Sequence, residues 1–146
     1  MDTLNTVSML ERILLLREIP IFAGLPAEDL ELVAKIAREE WYPQNTAIFH
    51  QGEEGNVMFV IVEGRLQVVK TTDGNEQVLA ERGPGDFVGE MAVIESAPRL
   101  ATLRTQSDVR VLAIDGDNFK EILRERPDVS FGVLRNISRR LREMIG

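Results

Sequence analysis

The chain has 146 residues, the size of one domain built on one hydrophobic core. Its 17 basic residues against 24 acidic ones leave a formal charge of −7, which argues against a surface that neutralises many nucleic-acid phosphates. With no cysteine, disulfides and thiol chemistry are excluded. No apolar run reaches the roughly 18 residues that a membrane span needs. The opening Met1-Asp2-Thr3-Leu4 is acidic where a signal peptide is basic, so the expected compartment is the cytoplasm.

Residues 1–40 read as helical. Ser8-Met9-Leu10-Glu11 fits a capping box, and Leu10, Ile13, Leu14 and Leu16 follow as an apolar face that needs a partner. Pro20 and Gly24 interrupt. Pro26, with Glu28 and Asp29 behind it, opens a second helix whose stripe is Leu30, Val33, Ala34 and Ala37.

Residues 41–114 change to short strand-like runs. Val57–Val62 ends at Gly64, and Asp73-Gly74-Asn75 joins Leu66–Thr72 to Glu76–Ala80 as a hairpin. Gly83-Pro84-Gly85-Asp86 is a further turn, and Leu103, Val109, Val111, Leu112 and Ile114 supply the last strands. Many short strands at even spacing imply a sandwich, barrel or roll. Residues 115–146 return to helix. Asp115 is placed to cap one helix through Phe119, Ile122 and Leu123, and a last helix from about Asp128 carries Leu134, Ile137, Leu141 and Met144. That seam can pack on the roll or on another copy of the chain, the first being usual for an amphipathic helix.

The stretch from Phe87 to Thr102 carries the chemistry. It reads as a turn, a short helical segment and a return strand starting near Arg99. Gly89 lets backbone approach a ligand closely, free N–H groups at a helix start attract an anion, and Arg99 offers a planar fork of donors to phosphate oxygens. Glu90 is an acceptor suited to a sugar hydroxyl. A surface pair between Glu90 and Arg99, with no ligand, uses the same two residues.

The pattern Phe87-Val88-Gly89-Glu90-Met91-Ala92 followed by Pro98-Arg99-Leu100-Ala101-Thr102 resembles the phosphate-binding cassette of the cyclic-nucleotide-binding domain family. That family includes the catabolite activator protein and the regulatory subunits of cAMP-dependent protein kinase. Flanking stretches agree: Ile21-Phe22-Ala23-Gly24-Leu25, Phe49-His50-Gln51-Gly52-Glu53, Phe59–Gly64 and Gly83–Phe87. The resemblance implies that Glu90 accepts from the ribose 2′-hydroxyl and Arg99 pairs with the cyclic phosphate. Backbone N–H groups of Gly89, Met91, Ala92, Leu100 and Ala101 would surround both, and the last helix would move over the base. Leu100 stands where the family commonly has Ser, Thr or Ala; it lacks the hydroxyl that favours cGMP, so cAMP is the expected ligand.

The expected architecture is therefore α+β: a jelly-roll-like antiparallel β-roll of about eight strands, with N-terminal helices, a short cassette helix over part of 87–102, and two C-terminal helices. The chain is expected to be one domain, 1–146, that senses a cyclic purine nucleotide without catalysis, metal or cofactor. The alternative is a roll that has lost its nucleotide and serves protein interaction. His50 is the only histidine, which leaves no metal cluster or Ser-His-Asp set to build on. Trp41 is expected in the core or at an edge, and Arg139-Arg140 on a solvated face. The chain stops at Gly146, without the DNA-binding segment of the family's transcription factors, so direct nucleic-acid binding is not expected. The partners expected besides the nucleotide are a second copy through the last helix, or an effector domain outside this chain.

Overall fold

The computed structural model describes residues 8–20 and 22–145. Those residues form five helices and eight strands, and they cluster into two compact units. The strands and the cassette make up Ala37–Asp117, and the helical ends make up the other unit.

In the first unit, β1 (Arg38–Tyr42), β3 (Val57–Glu63), β6 (Phe87–Val88) and β8 (Val109–Asp115) form one antiparallel sheet in the order β1-β8-β3-β6. The second sheet runs β2-β7-β4-β5, from β2 (Ala47–Phe49), β4 (Leu66–Thr72), β5 (Asn75–Arg82) and β7 (Thr102–Thr105). The roll is antiparallel as expected, and its sheets do not close into a barrel. Its core joins alternate residues of both sheets: Phe59, Ile61, Val88, Val109, Val111 and Ala113 from one, Leu66 and Leu103 from the other. Met58, Val60, Leu112 and Ile114, between them in register, are also buried. The unbroken apolar run of β3 follows from burial on both faces.

The turns carry the register. Asp73 and Gly74 both have positive φ, 52° and 80°, the geometry that a two-residue hairpin between β4 and β5 demands. Asp86 closes the Gly83–Asp86 turn through its carboxylate, which accepts from the Gly83 N–H at 2.9 Å. β1 begins at Arg38, before the expected boundary, because its charged residues pair backbone to backbone with β8 rather than supply a core. Trp41 lies on this edge strand, and the Arg110 guanidinium carbon stands 4.2 Å from its ring centre.

In the helical unit, α1 (Met9–Arg17) starts at Ser8, whose Oγ accepts from the Glu11 N–H at 3.2 Å. Leu16 is buried, but Leu10 and Leu14 are exposed, so the expected apolar face of α1 is only partly covered. α2 (Ala27–Ile36) buries Leu30, Val33 and Ala34 as its spacing predicts. The helix α4 (Gly116–Glu125) follows β8 without the expected side-chain cap; the Asp115 carboxylate instead accepts from Arg38 at 2.7 Å. α5 (Pro127–Ile145) leaves most of the expected seam uncovered within the chain, with Ile137 half-buried. Its buried line is Val129, Gly132, Val133 and Asn136, while Leu134 and Met144 are 61% and 84% exposed and Leu141 is exposed as well. Arg139 faces solvent and Arg140 is partly buried. None of the described helices is long and apolar enough to cross a membrane.

Candidate functional site

The cassette lies wholly within the strand unit. β6 delivers the chain to Gly89, which takes φ 84° and precedes α3 (Glu90–Glu95). The left-handed turn is what allows a strand to become a helix within one residue. At the other end Ser96 takes φ 54°, and the Ala97 N–H reaches the Ala92 carbonyl at 3.0 Å while Ser96 reaches Val93. That is a Schellman closure with serine where glycine is usual.

The return strand starts at Thr102, not near Arg99. Pro98 and Arg99 are instead held by the loop after β2. The Arg99 N–H donates to the Glu53 carbonyl at 2.8 Å, the Gly52 N–H donates to the Arg99 carbonyl at 2.9 Å, and Pro98 bridges to Glu54. Gln51 fixes that loop in turn, because its side-chain amide exchanges two hydrogen bonds with the backbone of Thr71, at 2.8 and 3.1 Å. Proline at 98 lacks an N–H, which suits a segment that leaves the ladder before β7.

Arg99 points inward. It is 6% exposed, and its Nη1 donates to the Gly89 carbonyl at 3.1 Å while Nη2 donates to the Val57 carbonyl at 2.7 Å. Two of the five guanidinium donors are thereby used. Nε is buried without a hydrogen-bond partner. Burial pulls the guanidinium below its ordinary pKa, and the carboxylates of Glu53 and Glu90 push the other way. An arginine remains charged regardless, so this is a buried cation held by neutral carbonyls with two carboxylates near it. Glu90 is 3% exposed. Both residues being buried sets aside the surface-pair reading.

The remaining expected residues divide by exposure. Ala92 and Ala101 are buried, Met91 is 44% exposed and Leu100 is 62% exposed. The site therefore brings Gly89, Glu90 and Arg99 together at the β6–α3 turn, with the Leu100 side chain at the surface. Sequence reading missed three contributors: Val57 through its carbonyl, Phe49 and Gly55. A Cβ on Gly55 would stand 2.5 Å from the Arg99 Nε. The available signal was the second glycine of Gln51-Gly52-Glu53-Glu54-Gly55, which has no turn to explain it. His50 hydrogen-bonds Glu53 through Nδ1 at 2.7 Å on the exposed side of the same loop.

A family model described as the cyclic nucleotide-binding domain matches residues 39–126. The cyclic AMP receptor protein of Thermus thermophilus is 31% identical over 125 residues, which is 85% of this chain and 58% of that protein. The chain thus spans well under two thirds of that relative. Among solved structures, Thermus thermophilus catabolite activator protein aligns with a TM-score of 0.79 at 31% identity, covering 86% of this chain and 59% of that one. The regulatory domain of Toxoplasma gondii PKA, solved with cAMP, aligns at 0.74 with 30% identity, over 78% and 44%.

Proposed function

The chain belongs to the cyclic nucleotide-binding domain family, and from that premise we propose that it binds a cyclic purine nucleotide reversibly, cAMP in preference to cGMP, as a regulatory module without turnover. The observation that carries the reading is Arg99: a buried cation beside the Gly89 turn, with Nε and the second N–H of each Nη left for an anion. A singly charged cyclic phosphodiester would bond the guanidinium directly, as the nearby Glu53 and Glu90 carboxylates do not, in a desolvated place where a charge-assisted bond is strong. Glu90, buried one residue past Gly89, is the acceptor for a ribose hydroxyl. Leu100 offers no hydroxyl to a guanine, which supports adenine. No step in this binding calls for a nucleophile, a general base or a metal.

The exposed face of α5 supports a second element of the proposal, pairing with a second copy of the chain. Leu134, Leu141 and Met144 recur at steps of seven and three, and they carry apolar area that one chain leaves in water. What the module regulates lies in a partner or an effector domain outside the residues of this chain, and the proposed compartment is the cytoplasm.

The test is calorimetric titration of the purified chain with cAMP and cGMP, with melting curves alongside. A ligand selective for the folded state at about a hundredfold excess over its Kd stabilises by about 2.7 kcal/mol. Saturable heat and a raised Tm with cAMP are expected. Neither effect at millimolar concentration would leave the roll as a protein-interaction domain.

A further inference from the structure

Among the described residues, the Arg99 guanidinium makes its hydrogen bonds to neutral carbonyls only, and its Nε has none. Two neighbours define where it sits. The Phe49 ring centre lies 4.0 Å from Cζ, within range for a cation over an aromatic face. Gly55 presses from its own side, where a Cβ would come within 2.5 Å of Nε, 2.7 Å of Cζ and 2.8 Å of Cδ. Phe49 is itself fixed. Its ring stacks on Phe59, with centroids 6.1 Å apart and planes 28° apart, and Phe59 belongs to the core of the roll.

An aliphatic side chain at position 49 would exclude water from the guanidinium equally well but would place only neutral hydrocarbon beside a buried cation. The aromatic face carries partial negative charge, so it stabilises the cation without occupying any of its N–H groups. A carboxylate in the same position would stabilise it further, yet would take up the donors an anionic ligand needs. We infer that Phe49 is a positioning residue for the phosphate grip: it holds Arg99 by its ring face, with Gly55 giving the clearance, and so leaves the Nε edge to the ligand. This rests on the ligand reading proposed above.

The experiment compares Phe49→Tyr, Phe49→Leu and Gly55→Ala with the full wild-type chain. The first readout needs no ligand: the NMR signal of the Arg99 Nε–H, assigned by its loss in Arg99→Lys. A ring current from Phe49 displaces this signal in the wild type and in Phe49→Tyr, and the displacement disappears in Phe49→Leu. The second readout is cAMP affinity. Phe49→Leu is expected to raise Kd about tenfold, and Phe49→Tyr by less than about threefold, because only an aromatic ring restores the cation contact. Gly55→Ala keeps the ring but shifts Nε, so both the signal and the affinity change; it also serves if Phe49→Leu does not fold. An undisplaced signal in the wild type overturns the inference. So does a Leu variant that binds as the wild type does, or equal weakening in Leu and Tyr, which marks simple packing. A displaced signal in a wild type that takes up no cAMP overturns the ligand reading and leaves the seating of Arg99 established.

Discussion

The Gly89 carbonyl accepts from the Arg99 guanidinium at 3.1 Å, so the residue that turns the chain into α3 also aims the arginine that follows it. Gly89 has two reasons to be glycine. Its φ is 84°, and a Cβ there would stand 2.7 Å from the Arg99 Nη1 and 3.1 Å from the Val57 carbonyl oxygen. Alanine in a left-handed conformation costs about 1–2 kcal/mol before any displacement of Arg99 is counted. Gly89→Ala is expected to lower stability by at least that much in denaturant unfolding and to weaken cAMP binding in the same sample. Unchanged affinity would separate the turn from the grip.

Arg99→Ala removes the charge and the side-chain donor that the Gly89 and Val57 carbonyls share. The loss of a charge-assisted contact to phosphate is expected to weaken cAMP binding by about 2–3 kcal/mol, read by calorimetric titration. Wild-type affinity in this variant would put the phosphate elsewhere on the molecule.

Most of the roll was legible because its turns have their own chemistry. Asp73-Gly74 marks a hairpin through the positive φ both residues tolerate, and the run Phe87–Ala92 followed by Pro98–Thr102 marks the cassette. What was hidden depends on partners distant in the chain. Phe49 and Gly55 meet Arg99 because the loop after β2 pairs with Pro98 and Arg99, and that pairing uses backbone groups that leave no trace in residue type. The return strand begins later than the sequence predicts for the same reason: Arg99 makes strand-like bonds to a loop, outside either sheet. On α5 two apolar lines lie side by side, and periodicity alone does not say which is covered. The line through Val129, Gly132 and Val133 is buried, and the line through Leu134 and Leu141 is exposed.

Leu100 is mostly exposed, so its replacement acts on the ligand rather than on the fold. Leu100→Thr is expected to leave stability within about 0.5 kcal/mol and to shift preference toward cGMP by supplying the missing hydroxyl. Competition between the two nucleotides measures it, and an unaltered ratio would show that position 100 does not read the base.

The exposed line of α5 leads to a prediction about assembly. Leu134→Glu and Leu141→Glu place charge on surface that is already in water in one chain, so unfolding of the monomer should change by about 0.5 kcal/mol or less. If α5 pairs with a second copy, each substitution shifts sedimentation from dimer to monomer. Identical sedimentation of wild type and variants, monomer or dimer, would remove α5 as the interface.

Tyr42 gives a pH dependence whose sign follows from its surroundings. Its hydroxyl donates to Glu40 at 2.7 Å on β1, and partial burial together with that carboxylate raises it from 10.0 to about 12, with Arg38 opposing. The folded state therefore holds the proton more tightly than the unfolded chain does. Stability from this group is complete below the unfolded value of 10.0 and is lost as pH climbs from there toward about 12. Tyr42 is the only tyrosine, so phenolate absorbance reports it alone. The native chain should titrate near 12 and the denatured chain near 10. Tyr42→Phe removes this contribution, so its denaturation midpoint should fall less than that of the wild type over the same alkaline range. Equal declines in the two proteins would show that the Tyr42–Glu40 bond does not hold the proton in solution.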